Sequence, residues 1–258
     1  MQKGKTMQEE KNIGGDIRVS SPFLKKIENF FYHYKWHTVI ALFLVVVIVI
    51  CSVQMCTKEE YDIEIMYAGR QNVTSEQAIL DIEAAFGSFS DDVTGDGVPR
   101  ANLVAYWVDE RYLGIGQIPE ELKGADVGYF ANQASTNRDS FDSEITAGNV
   151  MICLLSPYLF ERWDERGAFL SLTEACPEYA GRESTLCLQM EDGSYNPRAV
   201  LLSKTALGDL AGLAALPEDT VICIRKVPYN IYNKDSVEEE HARALEVYRR
   251  ALRFGSAE

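Results

Sequence analysis

The one run of side chains spaced for cation chemistry is Asp91-Asp92-Val93-Thr94-Gly95-Asp96-Gly97. Oxygens at alternate positions, here Asp92, Thr94 and Asp96, ligate Ca2+ in the first half of a calcium loop, and glycine permits the turn. With Asp92 as the first position the twelfth is Leu103, so the bidentate Glu that completes such a cage is missing. Two readings stand: a Ca2+ site of low affinity, or an Asx-rich turn that feeds a strand and needs no ligand beyond the backbone.

Catalytic chemistry has less to work with. Beyond residue 56 the chain holds a single histidine, His241, on an exposed-looking helix face, which leaves no Ser-His-Asp or Cys-His set and no multi-histidine metal site. Carboxylate neighbours such as Asp109/Glu110 and Asp164/Glu165 are expected by chance in so acidic a chain. Gly114-Ile115-Gly116 lacks the third glycine and the lysine of a phosphate loop. The sequence therefore predicts a protein that is not an enzyme, with no cofactor other than the Ca2+ already weighed. Aromatic residues suited to stacking a sugar or peptide are Tyr67, Tyr106, Trp107, Tyr129, Tyr158 and Trp163. Tyr67 and Tyr158 are the cleft candidates, because each is placed at a strand's C-terminal end, where ligands sit in open α/β sheets.

These residues need a scaffold, and the pattern supplies one. Tyr61–Ala68, Ala101–Val108, Asn149–Leu155, Ala199–Ser203 and Thr220–Lys226 read as strands, the second of them buried on both faces. Helices are predicted over 75–86, 135–147, 157–165 and 237–253, with capping boxes at Thr74/Gln77 and Ser236/Glu239 and a first-turn proline at Pro157. On the last helix Ala242, Leu245, Tyr248 and Leu252 line one face. Alternating strands and helices imply a three-layer α/β domain with a mostly parallel sheet.

Ahead of this domain lies Thr38–Cys56, TVIALFLVVVIVICSVQMC, with no charge, Pro or Gly. Its length matches the ~20 residues that cross a ~30 Å hydrocarbon core. Aromatic residues from Phe30 to Trp36 crowd one end, and Glu59, Glu60, Asp62 and Glu64 the other. Residues 1–56 carry seven Lys/Arg and four Asp/Glu, the remainder 18 and 35. The positive-inside rule then places the N-terminus in the cytoplasm and residues 57–258 outside. The long region before the apolar run, and bulky residues before Cys51 and Cys56, favour an uncleaved signal-anchor over a cleaved leader or lipoprotein. The expected organisation is a disordered cytoplasmic tail over 1–21, a juxtamembrane amphipathic segment over 22–37, a transmembrane helix over 38–56 in contact with the bilayer, and an extracytoplasmic domain over 57–258. A net charge of −17 on that domain excludes phosphate-driven nucleic-acid binding. Cys176 and Cys187 bracket a polar loop and suit a local disulfide; Cys153 and Cys223 lie in apolar runs and suit the core.

Phe141–Leu172 resembles a stretch of the type II extracytoplasmic solute-binding proteins, especially sugar-binding ones. The likeness rests on Ile145, Ala147-Gly148, Val150–Leu155, Tyr158-Leu159, Gly167 and Leu170/Leu172, with Tyr61–Gly69 fitting the family's opening and a closing helix after Thr220–Pro228. It implies a periplasmic-binding-protein-like first lobe, with the second lobe reduced or absent. In function it implies a membrane-anchored, non-catalytic binding or accessory module for a solute or protein. The alternatives are a true sugar or peptide receptor for a transporter and, behind it, a cell-wall hydrolase. Tyr32–His37 and the Gly95-Asp96-Gly97 loop are also similar to small membrane-anchored proteins of anaerobic Gram-positive bacteria, a likeness that carries no activity.

Overall fold

The computed structural model describes residues 22–56, 61–115, 127–190, 192–227 and 234–255. The predicted tail over 1–21 lies outside them. The chain divides into two compact units, 1–59 and 60–258.

In the first unit, α1 (Pro22–Cys56) is helical throughout except at Tyr34, where φ −115° and ψ 17° break the helix inside the predicted juxtamembrane segment, shortly before the apolar part. Tyr34–Val53 has a mean hydropathy of 2.7 and is the one described helix long and apolar enough to cross a membrane. Leu42, Phe43, Val45 and Ile48 point in different directions around it and are all exposed. A helix that is apolar all round must be covered by something, so this one is compatible with a membrane anchor or signal-anchor. Thr38 and Ser52 are satisfied within the helix: Thr38 Oγ1 donates to Tyr34 O at 3.1 Å and Ser52 Oγ to Ile48 O at 2.8 Å.

The second unit is built on a six-stranded sheet in the order β2-β1-β3-β6-β5-β4. The strands are β1 (Ile63–Gly69), β2 (Ala101–Trp107), β3 (Ile152–Leu155), β4 (Cys187–Gln189), β5 (Tyr195–Leu201) and β6 (Val221–Ile224). β1 pairs in parallel with β2 and β3. Helices α2 (Glu76–Gly87) and α3 (Val127–Ala147) make those two crossovers. The remaining helices are α4 (Pro157–Asp164), the single turns α5 (Leu172–Ala175) and α6 (Glu183–Leu186), and α7 (Lys234–Arg253).

The expected mostly parallel sheet is corrected to a mixed one, because β3–β6, β6–β5 and β5–β4 are all antiparallel. Parallel neighbours need a crossover that returns the chain to the starting edge. Here β5 runs into β6 through short 3-10 turns at Leu202–Lys204, Ala206–Asp209 and Leu213–Ala215, which hold no such crossover helix. β4 and β5 form a hairpin whose turn is set by Asp192-Gly193: Asp192 Oδ1 accepts from Ser194 N at 2.9 Å, and Met190 N donates to Ser194 O at 2.8 Å. β2 is corrected too. It is an edge strand with Ala105 exposed, not a strand buried on both faces.

Helices cover both faces of the sheet. Ile63, Ile65 and Tyr67 of β1 pack with Ile82 and Phe86 of α2 and with Ala244, Val247, Tyr248 and Leu252 of α7. Met66 and Ala68 pack with Phe141 and Ile145 of α3 and Leu159 and Phe160 of α4. The buried face of α7 centres on Ala244, Tyr248 and Ala251, and Ala242 is exposed. α3 starts eight residues before its predicted start, and Gly148 at φ 85° ends it in the left-handed conformation that glycine adopts freely. The predicted Thr74/Gln77 capping box does not form. Ser75 rather than Thr74 is the N-cap of α2, and Ser236 falls inside α7; the box the chain uses is Ser171/Glu174 on α5. All four domain cysteines are free and buried, so the suggested Cys176–Cys187 bridge is absent, and Cys153 sits directly opposite Cys223 across β3 and β6.

Asp62 fixes the loop between α2 and β2 to the start of β1. Its Oδ1 accepts from Val93 N at 2.7 Å and Thr94 N at 2.8 Å, and its Oδ2 from Arg100 N at 2.7 Å. Burial opposes the charge, but these backbone donors outweigh it and hold the carboxyl below its ordinary value. Charge-assisted hydrogen bonds of this kind contribute ~1.5–3 kcal/mol each before non-additivity. Asp62→Ala is expected to cost ~2–4 kcal/mol in urea unfolding at pH 7. The ionic part of that gap is present above the unfolded carboxyl value of ~3.9 and is lost as pH falls through the lower folded value. Asp62→Asn should therefore differ most from wild type near neutrality and converge with it in acid.

Candidate functional site

The three parallel strands end at one edge, and β1 has a crossover-linked neighbour on each side. This is the switch point at which open α/β sheets hold ligands. Backbone bonds tie the strand ends together there: Val108 N donates to Gly69 O and Ser156 N to Ala68 O, both at 2.9 Å. Each strand then delivers a polar residue. Arg70 follows β1, Asp109-Glu110 follow β2, Ser156 follows β3, and Asp219 precedes β6.

Arg70 is the hub. Its guanidinium pairs with Asp219, from across the end of β3, and reaches Glu110 at 3.6 Å. Trp107 Nε1 donates to Arg70 O at 2.9 Å, and Asn137 Nδ2 of α3 donates to Trp107 O at 2.8 Å. Burial pushes the Glu110 carboxyl up, with Arg70 pulling the other way. Among the described residues Glu110 Oε2 is buried without a hydrogen-bond partner. Ser156 is 5% exposed; it occupies the N-cap of α4, yet its hydroxyl does not cap the helix and has no partner among the described residues. Asp109 is neutralised separately by Arg111, whose Nε and Nη2 lie 2.8 and 2.6 Å from its carboxylate. Beside this cluster stand Trp107, Tyr112 and Phe130, with ring centroids 5.4–5.9 Å apart. The arrangement offers charge, hydroxyl and carboxyl groups next to an aromatic surface, a combination suited to holding a polar ligand.

The sequence candidates fall in different places. Tyr67 is 1% exposed, with its ring in the core shared with α2 and α7 and its hydroxyl accepting from Gln71 N at 3.1 Å. Tyr158 packs against the opposite core, so the sheet keeps the two tyrosines apart. Asp92, Thr94 and Asp96 are together in the loop pinned by Asp62. Asp92 Oδ1 accepts from Gly95 N at 2.7 Å and its Oδ2 from Gly97 N at 2.8 Å, while Asp96 accepts from Val98 N at 3.0 Å and pairs with Arg100 at 3.2 Å. Their oxygens are spent on backbone amides and an arginine. Among the described residues no three His, Cys, Asp or Glu side chains are grouped to hold a metal. His241 lies at the far edge, with Nε2 2.7 Å from Arg225 O. Burial pushes the thiols of Cys176 and Cys187 up to about 11.

Arg70, Glu110, Ser156 and Asp219 escaped the sequence reading as a group. Each is adjacent to a strand at the same sheet edge, and that shared position was the available signal. No family model matches the sequence, and no curated protein or solved structure is significantly similar to it.

Two outcomes follow for these residues. Asp92→Ala, which removes an exposed Asx turn, is expected to cost ~1 kcal/mol and to melt identically with chelator and with millimolar Ca2+; a Ca2+-dependent gain in wild type alone would establish a metal site. At pH 8 maleimide should leave native Cys176 and Cys187 unlabelled and reach both in urea, because thiols this buried present little thiolate.

Proposed function

We propose that the chain is a membrane-anchored, extracytoplasmic, non-catalytic binding or accessory module, similar to the first lobe of a solute-binding protein. The observation that carries this reading is the Arg70–Glu110–Asp219 cluster, with the unpartnered Ser156 hydroxyl, at the switch point of the parallel strands. Charged groups that neutralise one another, beside an aromatic surface and with no nucleophile–base pair, are equipped to hold a ligand rather than to transform it. Anchoring by residues 38–56 keeps the module at the cell membrane, with the cytoplasmic side fixed by the Lys/Arg bias of residues 1–56. A receptor for a sugar or peptide is the second reading, favoured by the unmet hydrogen-bonding capacity of Ser156 and Glu110.

The full chain in detergent can be melted with panels of sugars and short peptides, alongside Arg70→Ala. A ligand at 100 times its Kd adds ~2.7 kcal/mol, or about 5–10 °C for a domain of this size. A rise of that order in wild type, lost in Arg70→Ala, selects the receptor. Silence across the panel selects a protein ligand, which cross-linking from position 70 in intact cells should capture. Turnover of any panel member would overturn the non-catalytic reading. For topology, an impermeant maleimide added to intact cells is expected to label Glu183→Cys and not Lys11→Cys.

A further inference from the structure

A recess lies beyond β6, where the C-terminal end of α7 meets the turn after β5. It has a volume of about 250 Å³, at the small end for ligand pockets. Its walls include Tyr179, Arg182, Lys204, Thr205, Leu252 and Gly255. The recess is braced rather than loose. Tyr179 O–H donates to Leu252 O at 2.9 Å, and Arg249 Nε donates to Ala175 O at 2.6 Å, fixing the end of α7 against the turns that precede β4. A Cβ on Gly255 would come within 2.4 Å of Ala206 Cβ, so glycine allows the two walls to close to this spacing.

Many arginines of the domain meet carboxylates, as Arg70, Arg100, Arg162 and Arg250 do, while Arg166 stacks on Trp163 and Arg225 is buried. Arg182 instead lies over the ring of Tyr179, 5.2 Å from its centroid, and the contact of Lys204 is a carbonyl, Cys187 O, at 3.5 Å from Nζ. Neither forms an ion pair among the described residues. In a domain with 35 acidic and 18 basic residues, two cations left without a carboxylate at the mouth of one recess are a surplus of local positive charge. The Tyr179 ring holds the guanidinium plane in place, and an anchored guanidinium presents paired donors to an oxyanion at little ordering cost.

We propose that this recess binds a small oxyanion, a phosphate monoester or a carboxylate, between Arg182 and Lys204. The site is separate from the Arg70 cluster and does not depend on it. The probes are inorganic phosphate and succinate, which distinguish the two sources of the shared chemistry. The full chain in detergent is melted in increasing phosphate or succinate, with NaCl holding ionic strength constant. At least one probe is expected to raise Tm in a saturable way, and its affinity should fall at least about tenfold in Arg182→Ala/Lys204→Ala. Both side chains are exposed, so the double variant should melt like wild type without the anion. Arg70→Ala should keep the full response, which separates failure here from failure of the binding-module reading. No saturable rise with either probe, or an equal rise in the double variant, would overturn the proposal.

Discussion

Alternation along β1 assigns Ile63, Ile65 and Tyr67 to one core and Met66 and Ala68 to the other, and every other layer is placed by that division. Each such side chain contributes ~1.5–3 kcal/mol through burial, and the strand yields this on both faces at once. Within the strand only Glu64 is charged, half-buried near its start, and the other charged groups lie at its ends. Asp62 before it and Arg70 after it take up those positions, one organising the loop that feeds β2 and the other the charged cluster at the strand ends. A register slip of one residue would exchange the two cores and misplace both.

Much of this was legible in the sequence, and the limits have physical causes. The apolar run at Thr38–Cys56 and the strands β2, β3 and β6 announce themselves as apolar stretches, β1 and the helices α2 and α7 by apolar periodicity, and α4 by Ser156-Pro157 at its start. Strand direction did not. Crossover helices signal parallel pairing, and the 3-10 turns between Leu202 and Ala215 have no periodic signature of their own. Asp192-Gly193 did carry a hairpin signal, one that the polar surroundings of β4 obscured. The first two turns of α3 were hidden because Ala134 is the sole buried residue before Phe141, leaving no stripe to detect.

The candidate site was less legible than the fold. Arg70, Glu110, Ser156 and Asp219 form no motif, because their proximity is created by strand order rather than by spacing. Tyr67 lies inside β1 with its ring in one core and Tyr158 lies in α4 against the other, so the sheet sets them on opposite faces. The Asp-rich loop illustrates the reverse case. Asp92 and Asp96 look like ligands in one dimension, and in three they serve their own backbone.

The antiparallel half of the sheet also bears on how the chain reaches its fold. β1, α2, β2, α3 and β3 form a contiguous run whose parallel pairings are all made within it. β6 joins only when Leu155 meets Val221, after the chain through α4, β4 and β5 has been made. Closing that longer loop costs more chain entropy and raises the contact order of the second half relative to the first. During synthesis the parallel segment emerges first and carries an open β3 edge until its partner arrives. That edge is where premature pairing with another chain would begin, and the short, four-residue length of β3 keeps the vulnerable stretch small.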